Sequence, residues 1–234
     1  MIGSRTSNSQ RKSWVSRGLV IFDFDGTLGN TRRNIVETMQ MTIAEQHLPG
    51  RSERECAATI GLPLFECFRA MYPEIQEEEA MRCADTYRRI FAENLKSIKP
   101  EPFPGVRETL AKLAAKGYKL TIASSRSHAS LVELTRDMRI SESISYLIGV
   151  DDVEKAKPNP EPVLNTLKAM GFNANQTLVV GDMAVDILMG INAGTKTCGV
   201  TWGNGAREEL EEAGADFIID KIEDIVERID SLSV

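Results

Sequence analysis

Val20-Ile-Phe-Asp-Phe-Asp-Gly-Thr-Leu28 is the stretch on which the reading of this chain turns. Val20, Ile21, Phe22 and Phe24 are β-branched or aromatic, the composition of a buried strand. A strand inside an α/β sheet carries apolar residues on both faces, and Asp23 breaks that rule. Asp25 follows two positions later, on the same side if the chain stays extended. Gly26 then allows a sharp turn and a close backbone approach to a ligand. Carboxylates at the carboxyl end of a first strand lie where open α/β sheets bind ligands. The pair would repel unless a cation sat between them, and hard oxygen donors suit Mg²⁺. The same run also fits a strand followed by an ordinary Asp-Gly turn. The surrounding chain decides between the two.

Downstream of Leu28 the period changes from strand to helix. Ile35, Met39, Ile43 and His47 recur three to four apart, and Pro49-Gly50 ends that helix. Ser52 with Glu55 is a capping box opening a short second helix that Gly61 ends. A third helix is expected over 63–71 and a long fourth over about 75–97. Pro100, Pro102 and Pro104 form a stiff linker closed by Gly105. Residues 31–99 therefore read as an inserted helical cap with no strand signal.

From Phe103 onward strands alternate with helices, the signature of a parallel sheet covered on both faces. Strands are expected at 119–123, 146–150, 177–180, 197–201 and 217–219. Helices are expected at 106–116, 128–138, 157–170 and from about 182 to 193. The fold class is α/β, a doubly wound parallel sheet with a Rossmann-like core formed by residues 18–30 and 100–234.

Composition excludes several classes. The chain has 234 residues, 42% hydrophobic and 26% charged, with a net charge of −6. That balance gives no reason to expect nucleic acid as a partner. No apolar run approaches membrane-spanning length, so no membrane is expected either. Cys56, Cys67, Cys83 and Cys198 have no C-x-x-C or zinc-finger spacing, and free thiols in a reducing cytoplasm are the simplest account. Residues 1–17 are rich in Ser, Arg and Lys with no acid. They are expected to be disordered, although a transit peptide shares that composition.

Polar clusters fall after separate strands or at helix starts: Asp23/Asp25, Ser124/Ser125, Lys157 and Asp182/Asp186. In an open parallel sheet the strands' carboxyl ends share one edge, so these groups can converge there. Each has an ordinary alternative. The serines could end a strand or cap a helix, Lys157 could be a solvated loop residue, and Gly181-Asp182 could be a plain turn. Three or four acids around one point, countered by one lysine, call for a divalent cation, and a phosphoryl group is its natural ligand beside that lysine.

In this order the motifs resemble those of the haloacid-dehalogenase-like hydrolases, in the branch with a helical cap after the first motif. Asp23-Phe-Asp-Gly-Thr-Leu looks like their first motif, Ser124 their second, Lys157-Pro-x-Pro their third and Gly181-Asp-x-x-x-Asp186 their fourth. Gly199-Val-Thr-Trp-Gly203 with Gly214-Ala-Asp216 looks most like phosphoglycolate-phosphatase-like members. The resemblance implies Asp23 as nucleophile and Asp25 as general acid and base. It implies Mg²⁺ held by Asp23, the Asp25 carbonyl and Asp182, with Asp186 behind them or bridged by water. Ser124 and Lys157 would stabilise charge on the phosphoryl oxygens. Ser125, Arg126 and His128 would stand near substrate. Arg32, Arg33 and Arg69 are cap residues that could meet an anion.

The resemblance also implies a Mg²⁺-dependent phosphatase of small phosphorylated metabolites, with phosphoglycolate the first to test. Asp25 points to phosphate esters, since dehalogenases lack it and phosphonate hydrolases carry a small residue there. Two departures, Asn30-Thr31 after the first motif and Ser125-Arg126 after the second, weaken any transfer of substrate. A mutase of the β-phosphoglucomutase kind shares the motifs. A phospho-acceptor switch resembling receiver domains uses similar groups, but those are shorter and lack a helical insertion.

Overall fold

The computed structural model describes residues 17–231. All but the last of the residues expected to be disordered at the N-terminus lie outside that range. Arg17 is tied down, its N–H donating to the Gly117 carbonyl at 3.0 Å and its guanidinium 3.2 Å from Asp230.

The first strand, β1 (Gly18–Phe22), is wholly buried. It leads to a two-residue strand β2 (Gly29–Asn30). Four helices follow: α1 (Arg32–Glu45), α2 (Glu53–Ala57), α3 (Leu64–Met71) and α4 (Glu77–Asn94). The chain returns through β3 (Glu101–Pro102), which pairs antiparallel with β2. Entry to and exit from the helices are thus stapled side by side, an arrangement too short to show as sequence periodicity. What reads as a stiff proline linker is one arm of that staple.

Beyond it come α5 (Val106–Ala115), β4 (Tyr118–Ala123), α6 (His128–Asp137), β5 (Tyr146–Ile148), α7 (Glu161–Met170) and β6 (Thr177–Gly181). The chain continues through α8 (Ala184–Asn192), β7 (Lys196–Val200), α9 (Arg207–Glu212), β8 (Phe217–Ile219) and α10 (Ile225–Ser231). Six strands form one parallel sheet in the order β5-β4-β1-β6-β7-β8. From β1 the chain builds outward to β5, then crosses back to β6 and builds the other way. The order reverses between β1 and β6, and the crevice at their carboxyl ends is where such sheets bind ligands.

Both faces of β1 are covered, as the apolar run requires. Val20 and Phe22 pack with Leu120, Ile122 and Val180 on one side, while Leu19 and Ile21 pack with Val163, Val179 and Met189 on the other. Among the helices, Met39, Ile43, Phe68, Cys83, Tyr87 and Phe91 are buried together, and the Tyr87 and Phe91 rings stack at 5.7 Å. Ser52 and Glu55 form the expected capping box, a motif of about 1 kcal/mol. All four cysteines are free and buried.

Three local expectations differ. His47 is exposed and off the helix: α1 stops at Glu45, His47 takes a left-handed φ of 55°, and the Leu48 N–H closes on Ile43. That is the usual left-handed helix terminator, and Leu48 takes the half-buried place. The helix carrying Asp186 begins at Ala184, so Asp182 stands in the turn before it. Helices α9 and α10 stand where no helix was expected.

Candidate active site

The site lies at the carboxyl ends of β1, β4 and β6, under α1, α3 and α4. Asp23 is the first residue beyond β1, and its N–H donates to the Val180 carbonyl at 2.8 Å. The ladder with β6 therefore extends through Asp23 and fixes its backbone. Asp182 follows β6 directly. Asp186 lies in the first turn of α8, its Oδ2 accepting the Met183 N–H at 3.1 Å. All three carboxylates are buried, with one oxygen of each within 4.8 Å of the others. Lys157, also buried, donates to Asp23 Oδ1 and to Asp186 Oδ1, each at 2.6 Å.

Charge settles what this cluster needs. With all three ionised, the carboxylates against one ammonium leave two negative charges in a buried pocket, the complement of one divalent cation. Burial drives the Asp23 carboxyl well above its ordinary range against the pull of Lys157, and Asp186 and Asp182 push the same way. Burial, then the neighbouring Asp186, pushes Asp182 up to about 7. Burial works against the Lys157 charge, but Asp186 and Asp23 outweigh it and hold the ammonium above its ordinary value.

The surroundings fit a small oxygen-bound cation. Asp182 Oδ1 accepts from the Thr27 hydroxyl at 2.9 Å, and Oδ2 accepts from the Asn204 N–H at 2.7 Å. The Asn204 amide also reaches Asp182 Oδ2 at 3.2 Å and the Asp25 carbonyl at 3.4 Å, so that carbonyl lies beside the cluster. A Cβ on Gly26 or Gly203 would overlap the Asp182 carboxylate, so backbone itself walls the pocket. Hard donors, tight walls and a matching charge suit a hard divalent cation.

Asp25 is placed differently. The chain bends at Phe24, and the Asp25 carboxylate turns away to accept from the Thr31 hydroxyl at 2.6 Å and from Arg126 Nε at 2.8 and 2.9 Å. Only its carbonyl stays with the other acids. Arg126 also donates to the Ser130 hydroxyl at 3.2 Å and lies over the Phe91 ring, 4.7 Å from its centre. The pair is nearly buried and neutral as a unit.

Ser124 follows β4 directly and is buried, its hydroxyl accepting the Arg126 N–H at 3.3 Å. Ser125 donates to the Gly61 carbonyl at 2.7 Å, a bond from the sheet edge to the inserted helices. His128 is half-buried, with its ring nitrogen 2.7 Å from Asp152 and its N–H on Asp151. Arg33 and Arg69 pair with Glu37 and Glu66 on the helices' outer surface, while Arg32 reaches the Asn204 side chain at 3.3 Å. Between the carboxylates and the inserted helices lies a cavity of about 500 Å³.

Thr27, Thr31 and Asn204 had no role in the sequence reading. Thr27 lies inside the opening stretch, where it read only as part of the turn. Thr31 stands at the start of α1 yet makes no capping bond, its hydroxyl going to Asp25. Asn204 sits one residue past the Gly199–Gly203 run. The signal for it was position alone, just after the strand beside β6.

Known proteins share this fold. A family model described as haloacid dehalogenase-like hydrolase matches residues 20–200. Among curated proteins, the chain is 34% identical over 210 residues to a "Probable phosphatase IndB" from Dickeya dadantii, covering 89% of this chain and 91% of that one. It is 33% identical over 210 residues to "Pyrophosphatase PpaX" of Halalkalibacterium halodurans, covering 89% and 94%. Among solved structures, a "predicted phosphoglycolate phosphatase" from Haemophilus somnus superposes with a TM-score of 0.84 at 25% identity, covering 91% of this chain and 97% of that one.

Proposed function

Since the chain belongs to the haloacid dehalogenase-like hydrolases and is a phosphatase of that family, we propose that it hydrolyses a small phosphate monoester with Mg²⁺ through an aspartyl-phosphate on Asp23. The observation that carries the proposal is the buried cluster of Asp23, Asp182 and Asp186 with Lys157 between two of them.

Asp23 would supply the oxygen that attacks phosphorus, forming the acyl phosphate as the ester P–O bond breaks. Asp25, held by Thr31 and Arg126, would hand a proton to the departing alkoxide. In the second half, water attacks phosphorus, Asp25 takes its proton, and inorganic phosphate leaves with Asp23 restored. Lys157 and Ser124 would hold the phosphoryl oxygens. Asp23, the Asp25 carbonyl and Asp182 would hold Mg²⁺, with Asp186 anchoring Lys157 behind them. Bound there, the ion would neutralise the excess charge and polarise a phosphoryl oxygen.

We assign residues 18–30 and 100–234 to the catalytic core and 31–99 to a cap that closes over it. Ser125 on Gly61 is a latch between the two. The free cysteines fit a reducing cytoplasm, and no helix among the described residues is long and apolar enough to cross a membrane. The names of relatives put pyrophosphate and phosphoglycolate on the assay panel beside other monoesters.

The test is phosphate release from p-nitrophenyl phosphate, with free phosphate distinguishing hydrolysis from mutase transfer. EDTA should abolish it, Mg²⁺ restore it, and Ca²⁺ support it poorly because its looser coordination misplaces the nucleophile. Full turnover in chelator would overturn the proposal.

A further inference from the structure

The cavity above Asp23 is built for an organic group of a particular kind. At about 500 Å³ it is in the range that takes a drug-sized ligand, well beyond a phosphoryl group alone. One end holds Asp23, Asp25 and Ser124. The other end, furnished by the inserted helices, is hydrocarbon: Met39 of α1, Leu62 in the turn before α3, Leu64 and Phe65 of α3, and Phe91 and Leu95 of α4.

Charge on that wall is scarce. The cavity's basic side chains away from the carboxylate cluster are Arg88 and Arg126. Arg88 faces solvent in an exposed pair with Asp85 at 2.6 Å, and Arg126 is fixed on Asp25. Glu133, also on the cavity, adds a negative charge. A leaving group carrying its own phosphate or carboxylate would have to bury that anion against leucine and phenylalanine, with solvent-facing Arg88 and Asp25-bound Arg126 as the basic side chains on the lining. Such burial costs several kcal/mol per charge. An apolar leaving group meets no such penalty and gains from every methylene it hides.

We propose that the substrate is the phosphate monoester of an elongated apolar alcohol, whose hydrocarbon portion lies between Leu64, Phe65, Phe91 and Leu95. This rests on the phosphatase reading above and narrows it. Pyrophosphate and phosphoglycolate, whose departing halves are anionic, then become poor substrates of this chain, whatever the names of its relatives.

The test uses the full chain with Mg²⁺ and a series of linear alkyl phosphates from methyl to octyl. Pyrophosphate and phosphoglycolate are run beside them, with p-nitrophenyl phosphate reporting basal chemistry. Burial of each methylene should raise kcat/KM by about fourfold until the cavity is filled. Hexyl phosphate should then exceed both anionic substrates by about a hundredfold or more. Leu64→Lys, which sets a cation at a half-buried position on the wall, should cut hexyl phosphate turnover about tenfold while raising that of phosphoglycolate. Higher kcat/KM for pyrophosphate or phosphoglycolate than for hexyl phosphate, with p-nitrophenyl phosphate turned over, would overturn the inference and leave the phosphatase reading standing. Should no ester be hydrolysed, calorimetric binding of hexylphosphonate and phosphonoacetate separates the two ideas. Tighter hexylphosphonate supports the cavity assignment against the phosphatase reading, and tighter phosphonoacetate rejects the assignment itself.

Discussion

Replacing Asp23 by Asn should stabilise the metal-free protein while abolishing its turnover. Asp23 sits within 4.8 Å of both Asp182 and Asp186, where an effective dielectric of about 20 makes each repulsion about 3.5 kcal/mol, or about 7 together. Against this stands its attraction to Lys157 at 2.6 Å, about 6 kcal/mol on the same scale. The two nearly cancel, which leaves burial of the carboxylate to decide, and burial favours the neutral form. Asn mimics that form, and its side-chain oxygen can still accept from Lys157. The lysine is not orphaned, because Asp186 remains its counter-charge. In EDTA near neutral pH the variant should be more stable by about 1–2 kcal/mol, moving Tm by about 2–8 °C in a chain of this length. Saturating Mg²⁺ should reverse the order. A cation at a hundred times its Kd adds about 2.7 kcal/mol to the wild type and less to a variant lacking one ligand. Paired thermal melts in EDTA and in Mg²⁺ measure both signs. A variant less stable than wild type in EDTA by more than about 1 kcal/mol would refute the reasoning, since the Lys157 pair would then outweigh carboxylate crowding.

Asp25→Asn should slow turnover by about 10²–10⁴-fold while leaving Mg²⁺ affinity near normal, because its carbonyl rather than its carboxylate lies beside the cluster. It also leaves the Arg126 guanidinium without its acid partner, so a loss of stability of a few kcal/mol, seen as a lower Tm, should accompany it. In EDTA, stability should fall as pH rises above about 4, through the window in which raised Asp182 and Asp23 keep protons the unfolded chain has lost. Asp182, raised from 3.8 to about 7, binds a proton in the folded state that the unfolded chain has already lost across that window. Asp182 alone would contribute about 4 kcal/mol, and melts across the range should show the slope flatten in saturating Mg²⁺. Gly203→Ala should weaken Mg²⁺ binding by about 10–100-fold, because the new methyl overlaps the Asp182 carboxylate, and a calorimetric titration would read the change.

The cluster was legible in the sequence because it depends on topology alone. Asp23 and Asp182 each follow a strand, parallel strands end at one edge, and no rotamer choice can keep those residues apart. The same logic brought in Lys157 and Asp186. Pairings set by side-chain direction were not legible. Arg126 and Asp25 are 101 positions apart, and nothing in their spacing tells that the guanidinium turns inward. Ser125, read as a substrate contact, lines the cavity, and its hydroxyl bond to the Gly61 carbonyl was likewise invisible in the sequence. Helix α9 escaped because Leu210 is its one buried residue and no apolar stripe marks it. Helix α10 left a signal that went unread: Ile225 and Ile229, four apart, are both fully buried. His47 shows the opposite error, in which helical spacing ran past a stop that its own left-handed backbone supplies.

The central claim is that phosphate passes through the Asp23 side chain. A rapid acid quench during turnover of a ³²P-labelled monoester with Mg²⁺, followed by proteolysis and peptide mapping, tests it most directly. The label should be found on the peptide carrying Asp23, should be lost on treatment with hydroxylamine as an acyl phosphate is, and should be absent from Asp23→Asn. Label on Ser124 or on His128, or turnover with no labelled peptide at any quench time, would contradict the account.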